Sequence, residues 1–216
     1  MRPRVTLKLA TSLDGRIATA SGESRWITGE AARAEGHRLR ASHDAILIGV
    51  GTALADDPML TARPPGQESR QPARVVMDSR QRLDRGSRLA RSAGEWPVIV
   101  LTVQLPSPAL VRAGVEVIQV HTGRDGRVSL RHALTTLRDR GFISLLVEGG
   151  GEVAASFLRA DSVDRIEWFR APILLGAEGR PGVGSLAVGE LGQARRFRRL
   201  AAEPCGDDLW ERYERL

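Results

Sequence analysis

An α/β fold, with a mostly parallel twisted sheet flanked by helices and a closing antiparallel hairpin, is what this 216-residue sequence predicts. Three observations predict it. Short apolar runs alternate with stretches of helical periodicity. One such run enters three glycines and then a helix. The tail alternates apolar and polar residues about Pro204-Cys205-Gly206-Asp207.

Strands are expected near 5–10, 45–49, 74–77, 97–101, 115–120, 144–147 and 165–174, each bounded by Gly, Pro, Asp or Ser. The first helix follows Thr28 and runs to about residue 41, and Thr52 reads as the cap of a short second one. Residues 62–71, centred on Pro64-Pro65-Gly66, read as a surface loop. Ser129 reads as the cap of a helix to residue 140, because Leu130, Ala133, Leu134 and Leu137 share one face and Gly141 can close it. A further helix over 151–160 should bury Val153, Ala154, Phe157 and Leu158. Segments 196–203 and 209–215 form the tail hairpin. Strands separated by helices argue for parallel pairing, and with no internal repeat a single domain over 1–216 is expected.

Composition narrows the function classes. Hydrophobic residues at 42% and charged residues at 27% describe a globular protein rather than a disordered one. No apolar run is long enough to span a bilayer, and the N-terminus carries no secretion signal, so the cytoplasm is the expected compartment. Cys205 is the single cysteine, which excludes a disulfide within the chain. A net charge of +6 invites a nucleic-acid reading, but the arginines are dispersed and aromatics total only 4%, so no stacking platform is expected. A basic surface also suits phosphorylated small molecules. Of the 32 basic residues Lys8 alone is lysine.

Several segments carry candidate chemistry. Leu145-Leu146-Val147-Glu148 runs into Gly149-Gly150-Gly151, where glycines admit a close anion and a helix start supplies amide donors; tight packing is the plain alternative. Glu148 would sit at the strand end, where open α/β sheets bind ligands. Asp56 and Asp57 precede Pro58; adjacent acids rarely share a pocket, so at most one faces a ligand. Arg40 and Arg63 are candidate phosphate forks or ordinary surface charge. Trp26 either walls a planar ligand or fills the core. On the first strand Thr6, Lys8 and Ala10 share one face, and a strand lysine there needs an acid such as Glu148 or a neighbour. The four histidines show no metal-ligand spacing, Cys205 has no partner cysteine, and no G-x-S-x-G elbow appears, so no metal is expected.

Taken together, residues 7–18 (LKLATSLDGRIA), 22–28 (GESRWIT), 54–63 (LADDPMLTAR), 147–151 (VEGGG) and 172–176 (PILLG) resemble the reductase domain of the bifunctional riboflavin-biosynthesis deaminase/reductases, from about Arg2 to Arg215. The resemblance implies a dihydrofolate-reductase-like fold, NADPH as cofactor, a homodimer, and reduction of the ribosyl group of a phosphoribosylamino-uracil to an open ribityl chain. It implies that Ala10, Trp26, Thr52 and Asp56 contact the nicotinamide half. Ser79, with Arg80 beside it, would meet the adenosine end. Gly150, Gly151, Glu152, Val153, Ala154, Ala155 and Ser156 would hold the pyrophosphate. Ser24, Arg40, Leu60, Arg63 and Glu148 would bind substrate, and Asp56 with Lys8 would serve the chemistry. Two features depart from the family pattern. The zinc deaminase domain of the common architecture has no counterpart here, which suits a stand-alone reductase or an excised domain. Trp168-Phe169-Arg170 also stands where smaller residues are expected. The rivals are a same-fold reductase for another pterin or pyrimidine, and a non-catalytic nucleotide-binding module.

Overall fold

Each expected apolar run becomes a strand because its residues can be covered on one or both faces. In chain order the computed structural model, which describes residues 1–66 and 68–216, contains β1 (Arg4–Thr11), β2 (Arg16–Ala18), α1 (Glu30–Ala41), β3 (Ala45–Gly49), α2 (Val50–Asp56), β4 (Ala73–Met77), α3 (Arg88–Arg91), β5 (Val98–Thr102) and α4 (Pro108–Arg112). It continues with β6 (Glu116–Gln119), α5 (Leu130–Asp139), β7 (Ser144–Glu148), α6 (Gly151–Arg159), β8 (Arg165–Arg170), β9 (Arg180–Pro181), a 3-10 turn (Leu191–Gln193), β10 (Phe197–Cys205) and β11 (Asp208–Arg215). The result is the predicted class: a mostly parallel sheet flanked by helices, with a C-terminal antiparallel hairpin.

The chain forms two compact units, residues 1–4 with 37–146 and residues 5–36 with 147–216. In the first, β3, β4, β5 and β6 run parallel in that order. Ile46, Ile48, Val76, Val98 and Val100 join Leu83, Leu89, Leu110 and Val115 in its core. Charge lies inside as well. Arg74 is fully buried, and its guanidinium donates to the carbonyls of Met59 (3.3 Å), Ser92 (3.2 Å) and Trp96 and to Ser92 Oγ (2.8 Å). Burial lowers its pKa to about 10.

In the second unit β1 pairs parallel with β8, β8 antiparallel with β11, and β11 antiparallel with β10. The register sets Lys8 across from Glu167 and Ala10 across from Phe169. The hairpin tip is Gly206-Asp207, with Gly206 at φ +66°, where a side chain would be strained. Pro204 lies in β10, the edge strand, where a missing N–H is tolerated.

Three local expectations change, and two short helices are added. Thr52 caps nothing: α2 begins two residues earlier, with Gly49 as its cap. The strand foreseen to residue 174 ends at Arg170, because Pro172 lacks the N–H a ladder needs. Val153 is half-buried, and Ala155 fills the core position instead. α3 and α4, of 4 and 5 residues, are too short to show periodicity in the sequence. Ser129 does cap α5, accepting from the His132 amide. The loop foreseen over 62–71 includes Gln67, which lies outside the described residues.

Candidate active site

In the first unit, α2 presents Thr52 and Asp56 one turn apart, and both are half-buried. The next residue takes another path. Asp57 adopts a left-handed conformation at φ 39°, ends the helix, and accepts from the Arg88 amide through Oδ1 at 2.8 Å. The adjacent acids are thereby separated, one on the helix face and one committed to a turn.

The end of α1 meets the segment after α2. Arg40 donates to the Thr61 carbonyl at 3.3 Å, and His37 Nδ1 accepts from the Arg63 amide at 3.2 Å. Arg40, Leu60 and Arg63 are thus brought together, with the Arg63 side chain exposed. The Leu60 side chain packs into the core, so its backbone, at φ 53°, is the part that can face a ligand. His37 was not foreseen; its place three residues before Arg40 on one helix is the signal that could have marked it.

Beyond β4, Ser79 Oγ accepts from the Val128 amide at 3.0 Å and keeps its own proton to donate. Arg80 and Arg82 are exposed. Asp78 is fully buried and accepts from the Leu83 amide at 2.8 Å, which removes it from the surface.

In the second unit, Lys8 and Ala10 share a face of β1 and are half-buried. The Lys8 ammonium lies 5.8 Å from the centre of the Phe169 ring, and its stem passes Gly36 of α1, where an added Cβ would stand 3.8 Å from Cε. Across the register, Glu167 accepts from the Trp210 indole at 2.7 Å. Burial raises its pKa, against that hydrogen bond and the charges of Arg212 and Arg165. Glu167 also went unforeseen, because a strand acid declares its neighbours only once register is known. The unusual trio is absorbed by packing. Trp168 donates to Thr11 Oγ1 at 2.9 Å, Phe169 stacks on Trp210 at 5.3 Å, and Arg170 pairs with Glu211 at 2.8 Å.

Glu148 ends β7 with only 7% exposure. Gly149 and Gly150 follow at φ 77° and 82°, conformations that favour glycine, and no side chain caps the α6 N-terminus. Its first amides therefore have no side-chain acceptor at the helix start, where an anion is favoured in general. Gly151 has a different reason to be glycine: an added Cβ would lie 2.4 Å from the Pro181 carbonyl, and its own carbonyl accepts from the Gly184 amide at 2.8 Å. Glu152 is exposed and Val153 half-buried, while Ala154 and Ala155 are buried in packing. The Ser156 hydroxyl donates to the Glu152 carbonyl at 2.8 Å. Ser24 is half-buried in the loop before α1, and Trp26 is 69% exposed, so it is no core residue.

The motif around Asp14 is a latch. Its carboxylate accepts from Ser12 Oγ at 2.6 Å and from the amides of Leu175 (3.2 Å) and Gly176 (2.8 Å). These bonds, the serine's foremost, hold its pKa at about 2.

The RibD C-terminal domain family matches residues 3–210. The riboflavin biosynthesis protein RibD of Actinobacillus pleuropneumoniae is 37% identical over 212 residues, covering 96% of this chain and 56% of that protein. Its namesake in Mycobacterium tuberculosis (strain ATCC 25618 / H37Rv) is 38% identical over 212 residues, covering 96% and 53%. The chain spans about half the length of the curated relatives it matches. Among solved structures, Acinetobacter baumannii RibD (form 1) superposes with a TM-score of 0.89 at 30% identity, covering 100% of this chain and 58% of that one. The Saccharomyces riboflavin biosynthesis reductase Rib7 shares the fold, with a TM-score of 0.75 at 22% identity over 100% of this chain and 90% of its own. With a family match that runs almost from end to end of both units, the chain belongs to the RibD C-terminal domain family.

Proposed function

We propose that this chain is the NADPH-dependent reductase that converts 5-amino-6-(5-phosphoribosylamino)uracil to its ribitylamino product. The observation that carries the reading is the family match over 3–210, which includes every residue assigned a role in the sequence. That one match, spanning both compact units, also supports reading the chain as one reductase domain.

The residues present suit the cofactor. The uncapped α6 N-terminus after Gly149-Gly150 offers amides to a pyrophosphate. Ser79 retains a proton to donate, and Arg80 and Arg82 offer guanidinium forks to a 2′-phosphate. Asp78 would favour a free ribose hydroxyl if it were exposed; its burial supports NADPH over NADH. Ala10, Trp26 and Thr52 would line the nicotinamide half.

When bound, the cofactor supplies the hydride, and the protein's own residues do the rest. Arg40 and Arg63 hold the substrate phosphate, with Ser24, Glu148 and the Leu60 backbone placing the pyrimidine and sugar. Breaking the bond from the sugar's first carbon to the ring oxygen leaves a carbon–nitrogen iminium and a ring oxygen that takes a proton. Asp56 relays that proton, hydride addition at the first carbon completes the amine, and Lys8 stabilises charge nearby. We further propose that the enzyme works in the cytoplasm as a homodimer; no described helix is long and apolar enough to cross a membrane.

The test is to incubate the protein with the uracil substrate and either NADPH or NADH while following oxidation of the cofactor. NADPH should be consumed faster, with a ribitylamino product. No oxidation of either cofactor would sink the reductase reading, and equal rates would sink the cofactor preference.

A further inference from the structure

Trp26 is the exposed aromatic of the loop before α1, and one face of its ring is already taken. The Arg33 guanidinium lies 4.6 Å from the indole centre. The same guanidinium donates to the Thr28 carbonyl at 2.9 Å, so it is fixed to the chain two residues beyond the tryptophan. Thr28 is buried, the Gly29 amide donates to Asp208 Oδ2 at 2.7 Å, and the Gly29 carbonyl accepts from the Arg33 amide at 3.2 Å. The tail hairpin therefore anchors the start of α1, α1 anchors Arg33, and Arg33 anchors the indole. Yet Trp26 remains 69% exposed. A large ring held on one face and open on the other forms a platform rather than a piece of core.

We propose that Arg33 is a positioning residue that clamps Trp26 so that its free face receives a planar ring of the ligand; this rests on the proposal that Trp26 meets the nicotinamide. Without the clamp the indole is free to swing on its side-chain torsions, and ligand binding must then order it at a cost in affinity. Arginine suits the task because its flat guanidinium stacks and still spares an N–H for Thr28, whereas lysine offers a point charge alone.

Two variants, Arg33→Met and Arg33→Lys, are compared with the wild type, each also in a Trp26→Phe background. Without ligand, the near-ultraviolet circular dichroism of Trp26 is obtained as the difference between each protein and its Trp26→Phe counterpart. Arg33→Met should lose most of that band with native far-ultraviolet signal, and Arg33→Lys should keep part of it. For NADPH binding, Arg33→Met should raise Kd roughly fivefold when Trp26 is present, as the loss of one cation–π contact implies, and by much less when Trp26 is absent. Arg33→Lys should recover part of the loss. An unchanged Trp26 band in Arg33→Met overturns the clamp. So does an equal rise in Kd with and without Trp26, because Arg33 would then act on the cofactor by its charge alone. If Trp26→Phe and Trp26→Ala both bind NADPH as the wild type does while the band still depends on Arg33, the nicotinamide assignment falls and the clamp stands.

Discussion

At the scale of single residues, neighbours in sequence have parted ways in space. Asp56 stays on the α2 face with Thr52, while Asp57 is spent on the Arg88 amide. With the proton-relay role proposed for Asp56, Asp56→Asn should lower turnover on the order of a hundredfold with an unchanged melting temperature. Asp57→Asn should keep most activity; the opposite ranking in steady-state assays would mean that the wrong acid has been chosen. Lys8 runs past Gly36, where an added Cβ would stand in ordinary contact with its Cε at 3.8 Å. Lys8→Arg should fold with a nearly native melting temperature and lose roughly 10–100-fold in turnover, the scale of one charged hydrogen bond. Wild-type turnover in that variant would show that charge alone suffices. Arg74 is the contrasting case, a buried cation whose work is structural. Arg74→Met should cost roughly 3–5 kcal/mol in denaturant unfolding, because the buried guanidinium's bonds to the Met59 and Trp96 carbonyls and to Ser92 would be lost. A loss below 1 kcal/mol, on the order of a surface substitution, would contradict that role.

Between elements, the glycine turn and the Asp14 latch show how loops are held. The triple glycine reads in sequence as an anion cradle or as tight packing, and the structure gives its members different reasons to be glycine. Gly149 and Gly150 supply the backbone conformation, whereas Gly151 makes room for the carbonyl of Pro181. Gly151→Ala should thus destabilise the ligand-free protein by roughly 1–3 kcal/mol, the cost of overpacking against backbone. A melting curve that matches the wild type would return Gly151 to a purely ligand-facing role. This distinction was illegible in the sequence, since Pro181 lies thirty positions downstream and nothing local links the two. The start of α6 itself was legible, because an apolar run, a glycine break and a helical repeat are all local signals.

For the whole molecule, stability toward acid follows from carboxylates that the fold holds ionised. Ser12 and two backbone amides keep Asp14 at about 2. Burial alone would raise Asp44, but the Ile143 and Ser144 amides and the Ser144 hydroxyl outweigh it and lower its pKa. Because these folded values lie below the ordinary aspartate value of about 3.9, the stability they contribute is present above that pH and disappears as pH falls toward 2. Unfolding midpoints should be level near neutrality and drop below about pH 4, and Asp14→Asn should flatten part of that drop. A midpoint independent of pH between 5 and 2, roughly the interval over which such carboxylates protonate, would contradict the assignment. What the sequence by itself determined is the fold class, the order of its strands and main helices, the tail hairpin and the family. Each of these is written in hydrophobic periods of two or 3.6 residues, in caps, or in contiguous motifs. Only the tertiary structure decided that Asp57 serves Arg88, that Gly151 serves Pro181, that Glu167 stands across from Lys8, and that Arg33 lies on Trp26. The reason is physical: burial is dictated by patterns along the chain, but a polar side chain takes whichever partner the packing brings within about 3 Å, and that choice is made through space.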